Sequence, residues 1–208
     1  MKGKIFNGQE VQAIIAGNKT MFREVIKPYP VLSDDKSYWK FKGVRWAGEK
    51  SSYAKNFGNN ARPEMPDLCP YQVGQKIFCK ESFQNWDDGI VYKANNSKWD
   101  KLYESEPAQH MKQEHSRLTL QIKEIRVEKL SEISEEDAIA EGNYLDRCAC
   151  LPRKKDKSPI DAMFKQNWCH IHGQEFKDAW NSTHKKPEDK FEANPWVWCV
   201  NFEVVKLG

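Results

Sequence analysis

The sequence has no apolar run near the roughly 20 residues that a membrane-spanning helix needs, so no membrane contact is expected. Its start, MKGKIFNGQE, lacks the apolar centre of a secretory signal, and nothing in it directs export. There is no internal repeat and no low-complexity segment, which excludes a solenoid or a biased tail. Net charge is small, with 33 Lys and Arg against 30 Asp and Glu, and a balance of +3 favours no class of partner. Cysteine is sparse, at six in 208 residues. Without export, these six are expected as thiols or metal ligands in a reducing compartment, not as a disulfide framework. The expected location is the cytoplasm.

What is present is enough apolar chain for one domain. At 39% hydrophobic, residues 1–208 can bury a substantial core and still carry insertions. Charge is uneven. Residues 1–80 hold 14 basic and 7 acidic side chains, and the rest holds 19 basic and 23 acidic. The basic part interleaves Tyr38, Trp39, Phe41, Trp46, Tyr53 and Phe57. Cations among aromatic rings suit phosphates and stacked bases, although a solvated basic surface over core aromatics gives the same pattern.

The stretch Gln12–Arg23 organises the reading. Asn7 can cap a helix with Glu10 as reciprocal partner, and Phe6 with Val11 makes a hydrophobic staple. Gly17 suits the left-handed residue that ends such a helix. Lys19 follows on a turn between two elements, where its amine can be aimed into a cleft. Thr20 to Ile26 reads as a strand that stops at Lys27-Pro28-Tyr29-Pro30. Residues 31–68 read as an insertion, with a hairpin around Lys42-Gly43 and a long loop from Ser51 to Pro66.

Lys76 to Phe83 reads as a strand with Ile77, Cys79, Glu81 and Phe83 on one face. A glutamate in that apolar row must be paired if it is buried, which makes Glu81 a candidate. Ser116 to Leu130 is the longest strand signal, and its alternation slips near Lys123-Glu124, as at a β-bulge in a curved sheet. Ser134 caps a short helix that ends at Glu141 and Gly142. Residues 143–172 form a second insertion. Cys148, Cys150, Cys169 and His172 offer thiolates and an imidazole, a donor set that suits a structural zinc. Their C-x-C spacing is tighter than the usual C-x₂-C, and free cysteines on a loop are the alternative. No other cofactor is called for. Gln174 to Ser182 is helical, and the tail from Trp196 is a strand buried on both faces at its start, hence central to the sheet.

Several blocks resemble the ASCH family of the PUA-like superfamily. They are Gly17-x-Lys19-Thr20 with Arg23, Cys69-Pro70-Tyr71 with Gly74 before Ile77–Glu81, Leu130–Gly142, and Ala193–Trp198. The last two are similar to stretches in ASCH proteins of tailed bacteriophages and prophages, which implies a bacterial host cell.

The resemblance implies an α+β fold, a small curved β-barrel with a few flanking helices, and a cleft at the G-x-K turn. It implies binding of RNA, single-stranded nucleic acid or a modified nucleoside. Lys19 and Arg23 would contact phosphate, Phe22 with Trp39 or Trp46 would stack a base, and Glu81 or Glu141 would accept from an exocyclic amine. Some ASCH proteins are amidohydrolases that deacylate N4-acetylcytidine with a lysine, a threonine and a glutamate, and others are nucleases. Lys19 and Glu141 match the lysine and the glutamate. The threonine three residues past the lysine has no counterpart, because Phe22 stands there; Thr20 is the nearest hydroxyl. A third alternative is a phage protein that binds a host factor through its two insertions.

Overall fold

The computed structural model describes residues 1–34, 36, 39–42, 44–46, 51–52, 65–87, 89–95, 105–142 and 170–207, with backbone only at 44–46, 51–52, 65–66 and 170–173. In chain order the elements are β1 (Lys2–Ile5), α1 (Gly8–Ile15), β2 (Met21–Val25), β3 (Val31–Leu32), β4 (Trp39–Phe41), β5 (Val44–Trp46) and β6 (Ser51–Ser52). There follow β7 (Lys76–Lys80), β8 (Phe83–Trp86), β9 (Gly89–Tyr92), β10 (Leu118–Lys129), α2 (Glu135–Ala140), α3 (His170–Thr183) and β11 (Trp196–Leu207).

The main sheet runs β1-β7-β10-β11-β2, with β6 paired to β10. The β1–β7 pair is parallel, and β7–β10, β10–β11 and β11–β2 are antiparallel. The β10–β11 ladder shifts register between Ile122 and Glu124, where the apolar alternation slips, and again between Thr119 and Leu120. Each extra residue bends and twists the strand pair. The two ends of the sheet meet through side chains. Lys4 of β1 is ion-paired with Glu24 of β2, and the Tyr71 hydroxyl donates to Glu24 at 2.8 Å. First and last strands touch in this way only if the sheet curls. Among the described residues no ladder joins β1 to β2. The fold is thus α+β, with a curled main sheet and a few helices.

Inside the curl, Phe22 meets Phe6, Tyr71 and Phe202 at ring-centre distances of 6.0, 5.3 and 6.0 Å. Ile77, Leu118, Leu120, Ile122 and Val200 are buried with them. Large apolar side chains of this kind contribute about 1.5–3 kcal/mol each when fully buried. A second core under α2 and α3 joins Met21, Ile133, Ala138, Phe176, Trp180 and Cys199. β11 serves both cores, which explains why Trp196–Val200 is buried on both faces.

Local signals act as expected at the helix ends. Asn7 and Glu10 form a reciprocal capping box, each side chain accepting at 2.9 Å from the other's backbone N–H. Gly17 takes φ +74°. Ser134 caps α2, its hydroxyl accepting from Asp137 N–H at 3.1 Å. The expected strand at 76–83 is divided instead: β7 ends at Lys80, and Phe83 opens the separate β8–β9 hairpin. The pattern missed that break because burial continues across it, with Cys79, Glu81 and Phe83 all buried. The final helix begins at His170, so its first turn takes in residues assigned to the second insertion.

Candidate functional site

The turn after α1 and the end of α2 are fastened together by backbone. Thr20 N–H donates to the Ala140 carbonyl at 2.8 Å, and Lys19 and Glu141 form an isolated antiparallel bridge. Gly142 takes φ +85° beside them, and a Cβ there would lie 3.1 Å from both Lys19 Cβ and Ala13 Cβ. Glycine is therefore required twice, for its torsion and for the close approach of Lys19.

This stitching sets the Lys19 side chain, 3% exposed, against Glu141, 8% exposed. Lys19 Nζ donates to the Glu141 backbone carbonyl at 2.8 Å and to Oε2 at 3.1 Å. Glu10 Oε1, at the surface, lies 3.4 Å away. The other carboxylate oxygen of Glu141 accepts from Arg23 Nη1 at 3.0 Å. The fully buried Arg23 also donates to Asp137 Oδ2 at 2.6 Å and lies 3.4 Å from Glu128 Oε2. Arg126 completes the array, with Nη1 2.7 Å from Glu128 Oε1 and Nη2 2.9 Å from Asp137 Oδ2. Burial alone would pull the Arg23 pKa down, but the surrounding acids outweigh it and raise it. Arg23 is a fixed charge that holds the acids of α2 against β2 and β10.

The pair expected from the sequence, Lys19 with Glu141, is thus in direct contact. Arg23 joins it through Glu141, and every described donor of its two terminal nitrogens goes to protein atoms. Thr20 is exposed and contributes backbone to the sheet, Phe202 N–H donating to its carbonyl at 2.8 Å. Phe22 is 2% exposed and sits among Phe6, Tyr71 and Phe202, a core ring with no free face for a base. Glu81 is engaged elsewhere. It accepts from Arg117 Nε and Nη2 at 2.8 and 2.9 Å, and that guanidinium lies over the Tyr92 ring. Trp39 packs edge-on against Trp196. Trp196 is six residues along β11 from Phe202, the neighbour of Thr20, a run of about 20 Å at ~3.3 Å per residue, so Trp39 packs at the other end of that stretch of strand. Of Trp46 only the strand backbone is described.

Cys148, Cys150 and Cys169, with the rest of the second insertion up to 169, lie outside the described residues. His172 lies in α3 as backbone. Among the described residues no group of three or more His, Cys, Asp or Glu is placed to hold a metal ion. Nor is any described helix long and apolar enough to cross a membrane.

Sequence reasoning missed Asp137, Glu128 and Arg126. The signals were there: Asp137 and Glu141 are four apart and share a helix face, and Glu124, Arg126 and Glu128 alternate with Ile125 and Val127 along β10.

No protein-family model matches the sequence, and no curated protein matches it significantly. Among solved structures, a crystal structure of protein EF3133 from Enterococcus faecalis V583, described under the family model DUF984, is similar to this chain. The similarity covers 100% of this chain and 83% of that one, at 12% identity and a TM-score of 0.38.

Proposed function

We propose that the chain is an ASCH-type protein that binds a nucleoside or modified base at the Lys19–Glu141 pair. The observation that carries this reading is the contact itself: an amine and a carboxylate from distant parts of the sequence, 3.1 Å apart and nearly dry. In a dry site their donor and acceptor are strong and oriented. Glu141 is suited to accept from an exocyclic amine, and Lys19 to donate to a ring carbonyl. Phosphate is the poorer ligand here, because Lys19, Arg23 and Arg126 are already matched by Glu10, Glu128, Asp137 and Glu141. Calorimetric titration of the full chain with cytidine and N4-acetylcytidine tests this. Saturable binding is expected, weakened at least about tenfold, or about 1.4 kcal/mol, by Lys19→Met. Equal affinity in the wild type and the variant contradicts the proposal.

The same contact favours a second reading, hydrolysis of N4-acylated cytidine. A neutral Lys19 would act as base and take a proton from the water that adds to the acyl carbon, the C–N bond would break, and Glu141 would relay that proton to the leaving amine. Cytidine and a carboxylate would be the products. Chromatography after incubation at high protein concentration decides this, and no cytidine from several acyl derivatives rules it out.

A structural zinc on Cys148, Cys150, Cys169 and His172 belongs to the proposal on donor chemistry alone. Metal analysis of protein purified without added zinc tests it, with less than about half an equivalent arguing against the site.

A further inference from the structure

Where β10 ends and β11 begins lies a second cluster that the Lys19–Glu141 reading leaves unused. Lys129 and Trp196 face each other across the ladder, and Trp39 packs edge-on against Trp196 with ring centres 5.5 Å apart. Lys129 Nζ lies 4.7 Å from the Trp39 ring centre and 4.6 Å from that of Trp196. It donates to the Asn194 carbonyl at 3.2 Å, a residue held at φ +49°. The other buried cations each have a carboxylate close by: Lys19 at 3.1 Å, Arg23 at 2.6 Å and Arg117 at 2.8 Å. Among the described residues Lys129 forms no ion pair. It is half-buried, and burial pulls its pKa down against the raising influence of Glu132. An ammonium partly withdrawn from water, with no carboxylate in ion-pairing reach among the described residues, is costly, and a bound anion offsets that cost. Trp39 beside it keeps part of its surface in solvent. A cation next to a partly open indole favours an anion that carries a flat ring.

We propose that Lys129, Trp39 and Trp196 form a nucleotide-binding site, in which the phosphate meets the Lys129 ammonium and the base lies against the open part of Trp39. The site lies about 20 Å along β11 from the Lys19–Glu141 pair, at ~3.3 Å per residue, and does not depend on that reading. It takes the phosphate contact that the G-x-K turn is poorly charged to make.

Calorimetry of the full chain with uridine 5′-monophosphate, uridine and inorganic phosphate tests the site. The nucleotide is expected to bind at least about tenfold more tightly than either fragment. Lys129→Met is expected to lose that affinity about tenfold or more, and Lys129→Arg to keep most of it. Trp39→Ala is expected to reduce the nucleotide to the affinity of phosphate. Mass spectrometry of the wild type adds a readout that needs no variant: the nucleotide should protect Lys129 from acetylation at least about threefold, against the ~0.7 kcal/mol that such a factor represents. Lack of protection, affinity unchanged in Lys129→Met, or phosphate binding as tightly as the nucleotide would each overturn the proposal.

Discussion

At the scale of the residue, Phe22 and Arg23 show how neighbours on one strand part company. Phe22 turns into the curl and meets three aromatic rings, while Arg23 turns into the acids of α2 and β10. Phe22→Ala is expected to cost about 3–5 kcal/mol in urea unfolding, the range for deleting a buried ring. Cytidine affinity in the folded fraction should be unchanged, and a stability loss below ~1 kcal/mol would contradict the core assignment. Arg23→Met leaves Glu128, Asp137 and Glu141 to Arg126 and Lys19 alone and should cost up to about as much, since breaking a buried charge pair from one side runs to about 3–5 kcal/mol. The thiols give a pH dependence. Burial pushes Cys69 and Cys79 from the ordinary value of 9.0 up to about 12, and raises Cys199 as well. Above pH 9 the unfolded chain releases these protons while the folded chain keeps them, so the folded state binds more protons and stability falls as pH rises. Tyr71, also raised by burial, acts in the same direction, and Lys129, lowered by burial, opposes it. Urea midpoints should therefore drop between about pH 9 and 11, and a flat profile would contradict the burial of the thiols.

At the scale of the element, α2 delivers the site. Its first turn sets Asp137 under Arg23 and Arg126, and Glu141 is its C-cap. Two glycines bracket the meeting point and make opposite predictions. Gly17 has φ +74° and nothing within 4 Å of an added Cβ, so Gly17→Ala should cost only the backbone strain of about 1 kcal/mol. Gly142 has φ +85° and Lys19 Cβ at 3.1 Å from an added Cβ, so Gly142→Ala should cost more and displace Lys19. Thermal unfolding ranks the two, and cytidine titration should show that only Gly142→Ala loses affinity. Equal effects would mean that the close approach of Gly142 is unimportant. Much at this scale was legible in the sequence. The Asn7–Glu10 box, the Ser134 cap, the glycine stops and the bulge near Glu124 each depend on local chemistry that a window of a few residues contains. The break after Lys80 was not legible, because Glu81 is buried by Arg117 from far along the chain, and no local pattern carries that partner.

At the scale of the whole molecule, curvature brings distant residues together. Lys19 and Glu141 are 122 residues apart in sequence and share a hydrogen bond. The resemblance of the two motifs implied that pair, but the sequence alone does not say which charges around it are spent. Arg23 looked free for a phosphate, and its two terminal nitrogens are buried among Glu128, Asp137 and Glu141. Phe22 looked like a platform and is core, since one ring on a strand reads the same in either role. Trp39 looked like part of the same cleft, and the β11 register sets it at the far end of that strand. The sheet therefore carries two chemically different places, one dense in paired charge and one with an ammonium between indoles.

A double-mutant cycle on cytidine affinity tests the central claim most directly, using Lys19→Met, Glu141→Gln and the two together. If amine and carboxylate act as one site, either single change should remove most of the binding and the double change little more, a coupling of at least about 1.4 kcal/mol. Independent, additive losses, or no loss from either change, would contradict it.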